Sequence, residues 1–155
     1  MVNQSKKKET LQLLDNYILD INYLDRKTNQ INKQTIKNLI HNIVSRETKD
    51  FKIISINFCS DDKLLKINNK YLNHDYLTDI ITFQLNDANE EIITDIYISL
   101  DRARENSKLL NIKYKNEIYR LIIHGLLHCC GYKDRTNKEK RKMREKENEY
   151  LNLLL

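Results

Sequence analysis

Two histidines, His124 and His128, lie four residues apart in a strongly apolar, helix-forming stretch of the chain. At that spacing both imidazoles project from one face of a helix, as two ligands of one metal ion require. Gly131 follows at a position where a helix can end in the left-handed conformation. The chain can then reverse, so that Asp134 becomes a third ligand. Two neutral imidazoles and a carboxylate would leave Zn²⁺ one open position, which is typical of a catalytic site rather than a structural one.

The same spacing has a plain structural interpretation. A pair of histidines on an apolar helix is often only a packing or surface feature of that helix. Gly131 lies where it can end the helix, and Asp134 lies where it can supply a third ligand. With these two residues, the metal interpretation is about as well supported as the structural one. Spacing alone does not choose between the two. The neighbouring Cys129 and Cys130 are expected to pack as small apolar residues rather than to bind a metal.

Glycine usage draws attention to the same window. The chain contains only two glycines, Gly125 and Gly131, and both lie beside these histidines. Gly125 falls in the middle of the predicted helix, where glycine costs about 1 kcal/mol relative to alanine. We therefore predict a close approach to Gly125 by backbone, metal or substrate.

A basic run follows the histidine window. Lys133–Lys146 contains eight basic and three acidic residues, a net charge of +5 that equals the net charge of the whole chain. One interpretation is a solvated helix face. The other is a phosphate-binding surface beside the metal, with Lys140, Arg141 and Lys142 as substrate-binding residues.

Length and composition limit the class of protein. The chain has 155 residues, of which 40% are apolar and 32% charged. This suits one domain, residues 1–155 with a loose 1–10, and excludes wholesale disorder. The basic excess is compatible with a nucleic-acid partner but does not prove one. Three cysteines, two of them adjacent, no secretory signal and no apolar run near the roughly 18 residues of a membrane span indicate a reducing cytoplasm.

Strands and helices alternate along the chain. Strands are predicted at Tyr17–Tyr23, Phe51–Cys59, Thr78–Leu85 and Glu91–Leu100. Helices are predicted over Asn32–Val44, after a cap at Ser60 or Asp61, from an N-cap at Asp101 to Leu110, over Asn116–Cys130 and over Asn137–Leu154. This order predicts an α/β or α+β fold in which a small mixed sheet of about four strands packs with about five helices.

The histidine window resembles the YbeY family of bacterial endoribonucleases, which are rRNA maturation factors. The family motif is His-Gly-x-Leu-His-x-x-Gly-Tyr followed by Asp-His. The matching residues of this chain are His124, Gly125, Leu127, His128, Gly131 and Tyr132. Further matches that extend the resemblance over about Phe51–Leu151 are Thr78–Phe83, Asp95, Ile96, Glu117, Met143 and Glu147.

The resemblance implies a zinc-dependent, single-strand-specific endoribonuclease that acts in 16S rRNA 3′-end maturation and ribosome quality control. The expected cofactor is one Zn²⁺ per chain, and the expected partners are rRNA and the small ribosomal subunit, with neither membrane nor DNA. Two alternatives stay open: a ribosome-assembly or RNA-binding factor whose metal is mainly structural, and a zinc hydrolase of another substrate. The zincin motif His-Glu-x-x-His has a glutamate where this chain has Gly125, which argues against a protease of that mechanism.

Three more residues are candidates for the site. Glu117 shares a helix face with the two histidines, so it is a candidate for orienting a ligand or, with less support, for a general base. The family often has an arginine where this chain has Leu72, and Arg120 or Lys70 is the candidate replacement. Glu117 and Arg120 are therefore predicted as catalytic residues. In a structure that resembles the family, the loop with His74 would border the cleft, so His74 is a candidate for substrate contact; the alternative is a solvated loop histidine.

One departure from the family concerns the third ligand. The family usually has a histidine where this chain has Asp134, and an aspartate where this chain has Lys133. Since a carboxylate is an ordinary zinc ligand, we expect the site to persist with a different charge.

Overall fold

The sheet of the computed structural model contains four strands, and the structure describes residues 16–87 and 89–154. The strands are β1 (Ile18–Tyr23), β2 (Phe51–Cys59), β3 (Ile80–Gln84) and β4 (Ile92–Ser99). Their order is β1-β2-β4-β3, with β1, β2 and β4 parallel and β3 antiparallel to β4 at the edge. The predicted mixed sheet is confirmed. The prediction of loose residues 1–10 lies outside the described part of the chain.

Among the residues that the structure describes, five helices surround this sheet, which agrees with the prediction of about five. They are α1 (Lys33–Glu47), α2 (Asp61–Leu72), α3 (Leu100–Leu110), α4 (Tyr114–Cys129) and α5 (Asn137–Asn152). Polar side chains accept hydrogen bonds from the first-turn backbone of four of them, at Asn32, Ser60, Ser99 and Thr136. Among the described residues, no helix is both long enough and apolar enough to cross a membrane.

The predicted N-cap at Asp101 is wrong. Because β4 runs directly into α3, Ser99 is the last extended residue, and its hydroxyl accepts the backbone N–H of Arg102 at 3.0 Å. Asp101 lies in the first turn of α3 instead. Its carboxylate accepts hydrogen bonds from the Arg26 guanidinium and from the backbone N–H of Asp61.

Helix α4 is the centre of the hydrophobic core. Ile118, Ile122, Ile123, Leu126 and Leu127 are each fully buried against the sheet and the other helices. Burial of such side chains contributes roughly 1.5–3 kcal/mol each. The core thus fixes the position of α4, and with it the positions of the residues near the C-terminal end of this helix.

Gly125 allows α4 to lie close to the sheet. A Cβ atom at this position would lie 3.0 Å from Oγ1 of Thr82 and 3.1 Å from Cδ1 of both Ile80 and Ile96. A close approach is present as predicted, but the approaching groups are side chains of β3 and β4 rather than backbone, metal or substrate. The contact brings the next turn of α4, with His128, beside the edge strand β3.

Candidate metal centre and cleft

The end of α4 is a Schellman motif. Gly131 has a φ of +97°, its N–H donates to the carbonyl of His128 at 3.0 Å, and the N–H of Tyr132 donates to the carbonyl of Leu127 at 3.0 Å. Glycine is favoured at this φ because a Cβ atom would strain the backbone. The motif reverses the chain and brings Asp134 back toward the helix, as the sequence predicted.

His124, His128 and Asp134 form a compact triangle. Their facing atoms are 3.0 Å apart between the two Nε2 atoms, 3.4 Å from His124 Nε2 to Asp134 Oδ2 and 3.3 Å from His128 Nε2 to the same oxygen. Tetrahedral ligands with bonds of about 2.0–2.1 Å lie about 3.3 Å from one another. The three predicted ligands therefore have the spacing of a zinc site, and they are the only such group of His, Cys, Asp or Glu found among residues 16–87 and 89–154.

The hydrogen bonds of the two rings determine what the triangle can bind. Nδ1 of His128 lies 3.0 Å from the carbonyl oxygen of Tyr132, and Nδ1 of His124 lies 2.7 Å from Oε1 of Glu147. Each Nδ1 must therefore carry the proton, which leaves a lone pair on each Nε2. Two lone pairs and a carboxylate facing one another are unfavourable unless a cation lies between them. The donor set fits a divalent metal.

Glu147, on α5, is the functional residue for which the sequence suggested no role. It is 2% exposed, accepts from His124, and forms ion pairs with Arg120 at 3.4 Å and Arg144 at 3.1 Å. Burial alone would raise the pKa of Glu147, but the His124 hydrogen bond and the two guanidinium charges hold it below the usual value. The carboxylate orients the ligand ring, a common arrangement behind metal-binding histidines. In the sequence, only the match of Glu147 to the C-terminal helix of the family pointed to this residue.

Glu117 and Arg120 lie behind Glu147. The Arg120 side chain is 10% exposed, and its Nε donates to Glu117 at 2.7 Å. Glu117 is fully buried and also accepts from Asn106, whose Nδ2 reaches Asp79 at 2.9 Å. Both predicted catalytic residues are therefore in a buried network behind His124, and neither lines the cleft at the metal centre.

That cleft opens in front of the triangle. It has a volume of about 640 Å³ and lies between the end of α4, β3 and the segment after α2. Its walls include the three candidate ligands as well as Leu72, His74, Tyr76, Asp79, Thr82 and Gln84. His74 borders the cleft as predicted. Leu72 also lines it, while the alternative Lys70 lies outside with its Nζ 5.2 Å from the Tyr71 ring.

The basic run divides into two parts. Lys133 and Arg135, both exposed, line a second cavity of about 580 Å³ that shares His128 and Asp134 with the cleft. Glu139 also lines this cavity, and its carboxylate accepts the backbone N–H groups of Arg135 and Thr136. We call the second cavity the basic groove after its two exposed cations, whose formal charge the carboxylates of Asp134 and Glu139 balance. The residues of the predicted patch are exposed on α5 and line neither cavity; they are Lys140, Arg141 and Lys142.

The two cysteines of the window do not join the metal cluster. Cys129 Sγ donates a hydrogen bond to Thr94 Oγ1 at 3.4 Å. Burial raises the pKa of both thiols, that of Cys130 to about 12, so neither is a ready thiolate. Both pack against the core, as expected.

The fold and the centre define a class: an α/β protein with a candidate three-ligand metal site that opens into a cleft. The matching family model, described as Endoribonuclease YbeY, covers residues 20–155. The chain belongs to this family.

Curated relatives agree with the family model. The Endoribonuclease YbeY of Cytophaga hutchinsonii is 46% identical over 114 residues, which cover 72% of this chain and 79% of the relative. That of Azobacteroides pseudotrichonymphae is 44% identical over 128 residues, covering 83% and 91%. A solution structure of a Thermotoga maritima protein shares the fold, with a TM-score of 0.63, 24% identity and coverage of 88% and 89%.

Proposed function

We propose that this chain is a zinc-dependent, single-strand-specific endoribonuclease that acts in 16S rRNA 3′-end maturation and ribosome quality control. The proposal rests on one observation above others: two imidazole lone pairs and a carboxylate converge at ligand spacing on the floor of an open cleft. Membership of the endoribonuclease YbeY family supplies the reaction class. The same membership supports rRNA and the small ribosomal subunit as partners, and a cytoplasmic location. The family model covers residues 20–155, and we propose that residues 1–155 form one domain.

His124, His128 and Asp134 would hold one Zn²⁺. When bound, this ion would supply an open coordination position that lowers the pKa of water and polarises a phosphoryl oxygen. The ligand side chains are 18%, 32% and 41% exposed, so the position facing the cleft is accessible to a substrate. A structural site would be closed by a fourth protein ligand. This favours an enzyme over the alternative of a mainly structural metal.

The remaining residues of the centre act by position and charge. Glu147 and the Tyr132 carbonyl hold the Nδ1 protons, so that both Nε2 atoms stay available to the metal. Glu117 and Arg120 hold Glu147 in place, so we assign them positioning roles rather than contact with RNA. Lys133 and Arg135 lie where phosphates of a bound strand would pass, and phosphate contacts position a strand without reading its sequence.

Cleavage and metal content measured together test the proposal. Wild type should cleave single-stranded RNA and carry about one zinc per chain, whereas His124→Ala should lose both. His41→Ala is the matched control, because His41 lies on α1 and outside the cleft. Zinc retained without RNA cleavage, but with hydrolysis of a peptide or small phosphoester, would favour the zinc-hydrolase alternative. RNA binding without cleavage would favour the assembly-factor alternative.

The biological role has its own test. In cells depleted of the protein, 16S rRNA should accumulate with an extended 3′ end. Wild type should restore the mature end, and His124→Ala should not. Normal 3′ ends after depletion would refute the proposed role in maturation. The enzymatic activity itself would still be tested by the cleavage assay.

A further inference from the structure

Two aromatic rings form a stacked pair on the rim of the cleft. The rings of His74 and Tyr76 have centroids 5.0 Å apart and an interplanar angle of 22°. The Tyr76 hydroxyl and His74 Nδ1 share a hydrogen bond of 2.9 Å. Tyr76 is 57% exposed, so its ring is not packed into the core. We call His74 and Tyr76 the aromatic pair.

A buried side chain holds the aromatic pair in place. Asn68, which is 2% exposed, donates from Nδ2 to the carbonyl of Tyr76 at 3.0 Å, and its own carbonyl accepts the N–H of His74 at 3.3 Å. Asn73, which lies between Asn68 and His74 in the chain, ends α2 with a φ of 58°. Because both ends of the short segment are tied to one asparagine, little conformational entropy remains to be lost when a ligand contacts the rings.

The aromatic pair and the basic groove border the same candidate ligands. His74 and Tyr76 line the cleft, Lys133 and Arg135 line the basic groove, and His128 and Asp134 line both. A strand bound at the metal centre can therefore meet both cationic groups and flat rings. Phosphates prefer the first surface, and unpaired bases, whose faces stack on aromatic side chains, prefer the second.

We propose that the aromatic pair is a base-stacking subsite, which takes one unpaired nucleobase next to the scissile phosphodiester of the RNA. This inference rests on the proposed function. A base in a duplex is already stacked and cannot enter the subsite, so the aromatic pair provides a physical reason for selecting single strands. An extended peptide along the edge strand β3 is the competing occupant, because β3 also borders the cleft. The exposed Lys133 and Arg135 beside the same ligands favour RNA, because they can contact its phosphates.

The test is a double-mutant cycle between a protein ring and an RNA base. A single-stranded RNA decamer is compared with versions that carry one abasic residue at each position in turn. Cleavage rate is measured for the unmodified backbone, and affinity is measured by anisotropy for a 2′-O-methyl decamer. In wild type, one abasic position should lower the cleavage rate or the affinity about 5- to 150-fold, the equivalent of about 1–3 kcal/mol for one stacked base.

Three variants isolate the ring. In Tyr76→Leu, which keeps an apolar side chain but removes the stacking surface, the same abasic position should cause little further loss. Tyr76→Phe keeps the ring and should keep most of the coupling. Tyr71→Leu is the matched control, because Tyr71 is 62% exposed but does not line the cleft, and it should behave as wild type.

The outcomes separate the inference from the proposed function. An equal abasic penalty in wild type and Tyr76→Leu overturns the subsite, even if cleavage is efficient. Coupling in affinity without any cleavage supports the subsite and overturns the proposed activity. Failure of the decamer to bind, with binding of an extended peptide that Tyr76→Leu abolishes, assigns the aromatic pair to a protein partner instead.

Discussion

Replacement of Glu147 by glutamine is the sharpest test of the centre. The substitution keeps the shape of the side chain and removes its charge. Three cations or donors depend on that charge: His124 through Nδ1 at 2.7 Å, Arg120 at 3.4 Å and Arg144 at 3.1 Å. The amide of glutamine has one acceptor oxygen, and its NH₂ group would face a guanidinium.

Two separately measurable effects should follow. Loss of the carboxylate behind a metal-binding histidine typically weakens metal affinity 10- to 100-fold, or about 1.4–2.7 kcal/mol. Without metal, a charge-assisted hydrogen bond is worth about 1.5–3 kcal/mol, so the free energy of unfolding should fall by about that amount. Arg120 keeps Glu117 as a partner, which holds the loss below the 3–5 kcal/mol typical of a fully broken buried ion pair.

Zinc affinity is measured by competition with a chromogenic chelator, and stability by urea unfolding of the metal-free protein. Glu145→Gln is the control, because Glu145 is an exposed glutamate on the same helix. It should change neither quantity. Unchanged zinc affinity in Glu147→Gln would refute the role of Glu147 in orienting His124, whatever happens to stability.

The other predictions concern the ligand set, the helix–sheet contact and the basic groove. Asp134→Ala should lose most of its zinc, and Asp134→His should retain it, as shown by elemental analysis. Gly125→Ala gains up to about 1 kcal/mol of helix propensity, but its Cβ meets β3 and β4 at 3.0–3.1 Å, so we expect lower cleavage activity without a gain in melting temperature. Lys133→Gln with Arg135→Gln should weaken RNA binding and reduce the salt slope by about 0.7 per lost phosphate contact. The matched triple variant, which lies outside both cavities and should have a smaller effect, is Lys140→Gln, Arg141→Gln and Lys142→Gln.

Each of these predictions has a contrary outcome. Undiminished zinc in Asp134→Ala would remove Asp134 from the ligand set. A more stable and fully active Gly125→Ala would show that the glycine is incidental to function. A larger effect of the triple variant than of the Lys133 and Arg135 pair would place the RNA path along α5, as the sequence interpretation originally had it.

Much of the fold could be predicted from local patterns. The alternation in β2 predicts Phe51–Cys59, and these are the observed bounds. Helix α4 begins at Tyr114 rather than Asn116, because its first turn lacks a side-chain cap that would mark the start. Asp101 was a wrong cap for a related reason: a strand that continues directly into a helix leaves no loop, and the serine before the junction takes the role.

The site divides in the same way between local and distant features. The spacing of His124, His128 and Asp134 indicates that they can meet, because a helix and a glycine turn bring them together locally, and the family resemblance favours a metal site over a packing feature. Glu147 lies 23 residues from His124, and only the packing of α5 on α4 brings the two side chains into contact. The placement of Lys140 and its neighbours also depends on how α5 packs on the rest of the protein. Counting charges along the sequence cannot show that packing.

The position of α5 would link a metal bound at the proposed centre to the lifetime of the protein. Helix α5 begins three residues after Asp134 and carries Glu147, which contacts His124. Local opening of this helix would therefore loosen both Asp134 and His124. Binding and helix docking are then thermodynamically linked, and an ion at 100 times its dissociation constant adds about 2.7 kcal/mol to the closed form. Amide hydrogens of α5 should therefore exchange more slowly in the loaded protein. In cells short of the proposed metal, α5 would open more often and become available to proteases, so the abundance of the protein would follow the supply of that metal.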